Sequence, residues 1–431
     1  MLDALWRTDI VEGPVIYLVF SLAAAGAVFL LLRRPTPRWL LTVAIALGAG
    51  LVAAVVTWFV AIRTLNLFGM GLGMRNYVWI AATFCGVFLA VASLWRSRWW
   101  RTLVAAVCIP LFAIAGTVAI NADYGLDRTL GSLVGVPTDP TIQLAGTTAT
   151  SDLSTLWKTW KAPADMPATG RAGVQVIPNT RSGFHARPAG IYLPPAALVE
   201  NPPRLPLLVM MMGQPGHPDP GLIASILDPI AARHHGLAPI VVMPDQLGEP
   251  TQDPLCLNTA RYGDAQTYLA RDVPDWALKH LNISRDHREW TVAGFSNGGE
   301  CALALTVTYP TLFGNLIDLA GEAFPAAEVP GPVLANVFHG DQSAYDRIKP
   351  LNMMAGKRYS RINAVFAVGQ FDPYYPPISH RMAQAARAHG MRVWDEVVPG
   401  ADHSAATVID GLPVGLRDLY PSLGLSAPDA G

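Results

Sequence analysis

Hydrophobic residues are unevenly distributed along the chain. Up to residue 122 they form four long runs, at 15–32, 40–62, 78–94 and 103–120, separated by short polar loops. Each run is long enough to cross about 30 Å of hydrocarbon as a helix, and a single N-terminal signal peptide would not recur four times. Beyond residue 170 the pattern changes: short β-rich apolar runs at 205–212, 289–293, 362–368 and 392–398 are interleaved with helix-forming stretches at 300–309 and 379–389. Residues 123–170 mix Gly, Pro, Thr and Asp with no sustained period and read as a tether. Three parts are therefore expected: a membrane region over 1–122, a tether over 123–170 and a folded domain over 171–431. Within the tether, 153–160 is expected to pack on the domain that follows, the alternative being an amphipathic turn at the lipid interface.

Composition agrees with a membrane protein. Mean hydropathy is +0.31 and charged residues make up only 15%, with the apolar excess concentrated before residue 122. Arg33, Arg34 and Arg38 lie between the first and second runs, and Arg96, Arg98 and Arg101 between the third and fourth. The positive-inside rule makes both loops cytoplasmic, so the remainder of the chain is expected outside. Arg63 and Arg75 in the intervening loop argue the other way but are outnumbered. Trp95, Trp99 and Trp100 suit an interfacial aromatic belt. Cys85 and Cys108 fall inside apolar runs, where a small thiol is unremarkable. Cys256 and Cys301 are the pair left for an outer domain, and an oxidising compartment predicts a disulfide between them. Two buried free thiols would be the reading for a cytoplasmic domain.

Candidate chemistry begins at Gly294-Phe295-Ser296-Asn297-Gly298, which follows one apolar run and opens a helix-forming stretch. Gly-x-Ser-x-Gly in a strand–turn–helix setting is the nucleophile elbow of an α/β-hydrolase fold, a mostly parallel sheet flanked by helices. Glycines two residues before and after the serine leave room for the sharp turn that holds its hydroxyl out. A structural Gly/Ser-rich turn without chemistry is the alternative. The triad order Ser, acid, His is met downstream by Asp372, in turn chemistry at the end of 362–368, and by His403, after 392–398. Asp402 adjoins the base and cannot easily reach around to its far nitrogen, and Asp341 reads as the start of a helix. Oxyanion donors are expected from the backbone N–H of Asn297 and from that of Gln214 in the loop after 205–212; Pro215 cannot donate.

The stretch from Asp264-Ala265-Gln266-Thr267-Tyr268 through Asp272-Val273-Pro274-Asp275-Trp276 to Val292-Ala293-Gly294-Phe295-Ser296-Asn297-Gly298-Gly299 resembles the putative-esterase group that includes esterase D and the secreted mycolyltransferases. The resemblance continues through Tyr309-Pro310-Thr311-Leu312-Phe313-Gly314 and covers about the last 260 residues. It implies an acid at Asp372 and a base at His403. The mycolyltransferases differ in usually having Glu as the acid and in lacking the Gly298-Gly299 pair.

The expected protein is a membrane-anchored extracytoplasmic serine esterase or acyltransferase. Its partners would be the lipid bilayer and an ester-bearing lipid, glycolipid or cell-wall component. The competing class is a non-catalytic module that binds the envelope, against which an intact triad argues. A transporter or sensor built from the four helices is disfavoured by their lack of mid-span ionisable residues. No cofactor is expected. His234 and His235 are adjacent and point apart, so no metal spacing stands out; the Gly-rich segments lack a P-loop lysine or a Rossmann acid, which leaves no case for a nucleotide. A net charge of −1 gives none for nucleic acid.

Overall fold

The computed structural model describes residues 2–64, 73–95, 97–125, 127–134, 136, 138–144, 153–250, 252–328 and 330–427. Arg96 and parts of the 123–170 stretch, including 145–152, lie outside the described residues. The chain divides into two compact units, Met1–Thr138 and Asp139–Gly431.

The first unit holds four helices long and apolar enough to cross a membrane, Pro14–Leu31, Pro37–Ala61, Met74–Ser93 and Trp99–Tyr124. The third and fourth begin about four residues before the apolar runs that mark them, because Arg75 and Asn76 in one and Trp99, Trp100 and Arg101 in the other continue the helical ladder at the polar end. Pro37 occupies the first turn of its helix, where its missing N–H costs nothing, and the Thr36 side chain caps it by accepting from the Trp39 N–H. Leu30, Leu89, Ala90, Ala105, Cys108 and Phe112 form a buried seam. Leu18, Leu41, Ile45, Val52, Val55 and Leu103 are exposed, an outward apolar surface that suits lipid. Arg101 donates to the Phe29 carbonyl at 2.9 Å and lies 4.5 Å over the Phe29 ring. Arg75 pairs with the buried Asp123 at 3.2 Å, and Asn76 donates to the same carboxylate at 2.6 Å.

The second unit is built on an eight-stranded sheet. Its strands are β1 Arg171–Gln175, β2 Ala189–Leu193, β3 Leu207–Met211, β4 Ile240–Met243, β5 Trp290–Phe295, β6 Asn315–Leu319, β7 Asn363–Gly369 and β8 Arg392–Val398. Their spatial order is β1-β2-β4-β3-β5-β6-β7-β8. β1 and β2 pair antiparallel, β2 meets β4 antiparallel, and every pairing from β4 through β8 is parallel. Strands covered on both faces are apolar at nearly every position, as in β3 and β5, whose residues are all buried. β3 starts at Leu207, later than the apolar run, because Pro206 has no N–H to give the ladder. The segment at 153–160 packs on this unit: Leu153 and Leu156 are buried, and the Trp160 indole N–H donates to the His235 carbonyl at 2.9 Å.

Candidate active site

The carboxyl ends of β5, β7 and β8 deliver Ser296, Asp372 and His403 to one edge of the sheet, the usual location of ligands in parallel α/β sheets. Ser296 lies between β5 and the helix Asn297–Thr308 with φ 55° and ψ −118°, a left-handed conformation costly for any residue with a Cβ. The turn is possible because of its glycines. A Cβ on Gly294 would fall 2.0 Å from the Gly298 carbonyl oxygen, and one on Gly298 would fall 2.6 Å from the carbonyl oxygens of Met211 and Met212. Backbone atoms at those distances cannot give way.

Ser296 Oγ is 2.9 Å from His403 Nε2, and His403 Nδ1 is 2.7 Å from Asp372 Oδ2. All three residues are buried. Asp372 Oδ1 accepts the N–H of Tyr374 at 2.9 Å and of Tyr375 at 3.0 Å, an Asx turn that fixes the carboxylate. Burial works to raise the Asp372 carboxyl; the hydrogen bond and charge of His403, then the two tyrosine N–H groups, outweigh it and hold the group below its ordinary value. Neither alternative acid is placed to act on His403: Asp341 caps the helix Gln342–Arg347 by accepting the Ala344 N–H, and the imidazole's two nitrogens face Asp372 and Ser296.

Around this line lie residues that sequence reasoning missed. The Tyr375 ring stacks on the His403 imidazole with centroids 4.2 Å apart and planes 22° apart, and its hydroxyl donates to Glu328. The Asp-Pro pair before it signals a turn, but nothing in the sequence signals the stacking. Glu300, Asp318 and Glu322 are buried close to the elbow. Burial first, then Asp253 and Asp318, push the Glu300 carboxyl well above its usual range. Burial lifts Asp318 to about 7 against the opposing Gly321 N–H. Glu322 is raised by burial and by Glu328. Among the described residues no group of three or more His, Cys, Asp or Glu is arranged to hold a metal ion.

Asn297 is the first residue of the helix that follows Ser296, and Gly213, before Gln214, comes so close to that turn that a Cβ on it would lie 3.4 Å from Ser296 Cβ. A disulfide joins Cys256 to Cys301, with Cα atoms 5.6 Å apart, inside the range for an unforced bridge. It ties the loop at 253–256 to the helix that follows Ser296.

An uncharacterized protein of Corynebacterium glutamicum is 28% identical over 416 residues, which cover 92% of this chain and 93% of that one. Among solved structures, an S-formylglutathione hydrolase of Agrobacterium tumefaciens matches with a TM-score of 0.49 and 16% identity, over 61% of this chain and 98% of that one. A ferulic acid esterase of the anaerobic fungus Anaeromyces mucronatus matches with a TM-score of 0.42 and 15% identity, over 65% of this chain and 100% of that one. The family profile described as Putative esterase matches residues 185–406, a span that runs from the second strand of the sheet past His403. Because that match takes in more than half of the chain, the protein belongs to the Putative esterase family and is a carboxylic-ester hydrolase.

Proposed function

We propose that the chain is a membrane-anchored serine esterase or acyltransferase whose catalytic triad is Ser296, His403 and Asp372. The observation that carries this reading is the unbroken hydrogen-bonded line from Ser296 Oγ through both imidazole nitrogens to Asp372. His403 takes the hydroxyl proton as Ser296 attacks the ester carbonyl, and Asp372 fixes the tautomer and stabilises the imidazolium. The oxyanion is held by the N–H groups of Asn297 and Gln214. His403 then returns the proton to the departing alcohol, leaving an acyl-enzyme on Ser296. Water completes hydrolysis, and an alcohol in its place completes transfer.

The membrane region over 1–122 serves as the anchor, and 123–170 joins it to a catalytic domain over 171–431. The arginine-bearing loops are cytoplasmic and the catalytic domain faces outward. The Cys256–Cys301 bridge supports that orientation, since such bonds persist in oxidising compartments. Anchoring keeps the enzyme near ester-bearing lipid, glycolipid or cell-wall polymer, which are the substrates of choice over dilute solutes.

The test is Ser296→Ala in the full chain. Turnover of a short p-nitrophenyl ester should fall by about a thousandfold or more, and labelling by a fluorophosphonate should disappear, with the melting temperature unchanged. Covalent labelling that survives the substitution would refute the assignment.

A further inference from the structure

We propose that Gln246 is a positioning residue that sets the spacing between the two oxyanion donors; this rests on the reading of Asn297 and Gln214 as those donors. Gln246 lies just past β4 and is 3% exposed. Its side-chain Nε2 donates to the Met212 carbonyl, on the residue that enters the Gly213-Gln214 turn, and to Asn297 Oδ1 at 3.5 Å. One amide thus bridges the loop after β3 and the first residue of the nucleophile helix. Asn297 is held from its other side as well, its Nδ2 donating to Asp253 Oδ1 at 3.1 Å.

The preceding residue secures the far end of the same loop. Asp245 is buried and accepts from Arg187 Nη2 at 2.6 Å and Nε at 3.0 Å, while Arg187 Nη2 also donates to the Gly216 carbonyl at 3.0 Å. Consecutive side chains at the end of β4 therefore hold the oxyanion loop at both ends, one directly and one through an arginine. Only Gln246 also touches the elbow side.

An oxyanion hole works when its donors stand 2.7–3.1 Å from the position the developing oxygen will take, and a site displaced by much more than about 0.5 Å loses its advantage. Both donors are backbone N–H groups, so their positions follow from what holds the residues that carry them and those residues' neighbours. Their separation depends on what grips the neighbouring carbonyl and the Asn297 amide, and Gln246 grips both. Its effect should be felt as charge builds on the oxygen and hardly at all on the neutral substrate.

The experiment uses the full chain in detergent with Gln246→Met, which keeps the length and removes the donor, and Gln246→Glu, which keeps the shape. In both, kcat should fall by about 10- to 100-fold, less than the loss of a whole oxyanion donor, with KM within about twofold. Affinity for a trifluoromethyl ketone, whose serine adduct carries the tetrahedral oxyanion, should fall by a similar factor, and the melting temperature should hold to within a few degrees. Wild-type kcat in both variants would overturn the inference, as would a kcat loss that leaves ketone affinity intact or merely follows a fall in melting temperature. Failure of the underlying serine mechanism reads differently: ester hydrolysis would then survive Ser296→Ala, whatever the Gln246 variants do.

Discussion

Asp372 combines two demands: ionisation in a buried site, met first by the hydrogen bond and charge of His403 and then by the two N–H groups of its turn, and a fixed orientation, met by those N–H groups. If it orients His403, Asp372→Asn should lower kcat by about 10⁴-fold through the wrong imidazole tautomer. Asp341→Asn and Asp402→Asn should stay within a few-fold of wild type, and equal damage from Asp341→Asn would count against the assignment. Asp318 makes a different kind of prediction. Its carboxyl is raised from 3.8 to about 7, so between those values the folded chain holds a proton that the unfolded chain has released. Stability from this group is therefore greatest below about pH 4 and declines as pH rises through 7, by on the order of 4 kcal/mol in all. Glu300 and Glu322, also raised, act in the same direction. Melting temperature followed from pH 5 to 8 should fall in the wild type and fall less steeply in Asp318→Asn, whose amide oxygen can still accept the Gly321 N–H. Parallel curves would mean that Asp318 is ionised in the folded chain.

Four of the sheet's eight strands, β3, β5, β7 and β8, and the turn at Ser296 were legible because they depend on local chemistry, whereas β1, β2, β4 and β6 were not marked out. An apolar run ending in Gly-x-Ser-x-Gly can hardly be anything but a buried strand meeting a tight turn, and β8 occupies the same residues, 392–398, that its pattern marks out. Prolines and helix caps move boundaries by a few residues without changing an element's type. Ser296, Asp372 and His403, which the structure brings within hydrogen-bonding distance of one another, could be singled out from their order and from their position at strand ends. What could not be read comes from contacts far apart in sequence: Gln246 reaching both Met212 and Asn297, or the Tyr375 ring lying on His403. A glutamine or a tyrosine carries no local pattern that says what it will touch. The buried Glu300 was hidden for a related reason, since a helix beginning with Asn-Gly-Gly-Glu ordinarily turns its first acid toward solvent and the helix N-terminus. The left-handed Leu255 and Cys256, at φ 62° and 49°, are likewise not announced by their own propensity.

Topology connects the membrane region with the redox state of the catalytic domain. If the arginines put the two short loops inside, an even number of crossings puts residues 123–431 outside, and an outside domain can keep Cys256 and Cys301 oxidised. Each link can fail separately. Alkylation of protein taken from native membranes should leave both cysteines unmodified until a reductant is added. Protease added to intact spheroplasts should degrade the catalytic domain while sparing the loops that carry Arg33 and Arg101. A domain protected from protease, with Cys256 and Cys301 freely alkylated, would reverse the orientation and remove the case for an envelope substrate, while leaving the esterase chemistry of Ser296 untouched. A protected domain whose cysteines remain bridged would instead break the link from compartment to disulfide and leave the bond as a purely local clamp. For an exposed, bridged domain, reduction should cost about 2–4 kcal/mol of stability, by freeing the unfolded chain. It should also slow turnover, because the loop that carries Asp253 would no longer be tied to the helix that begins at Asn297.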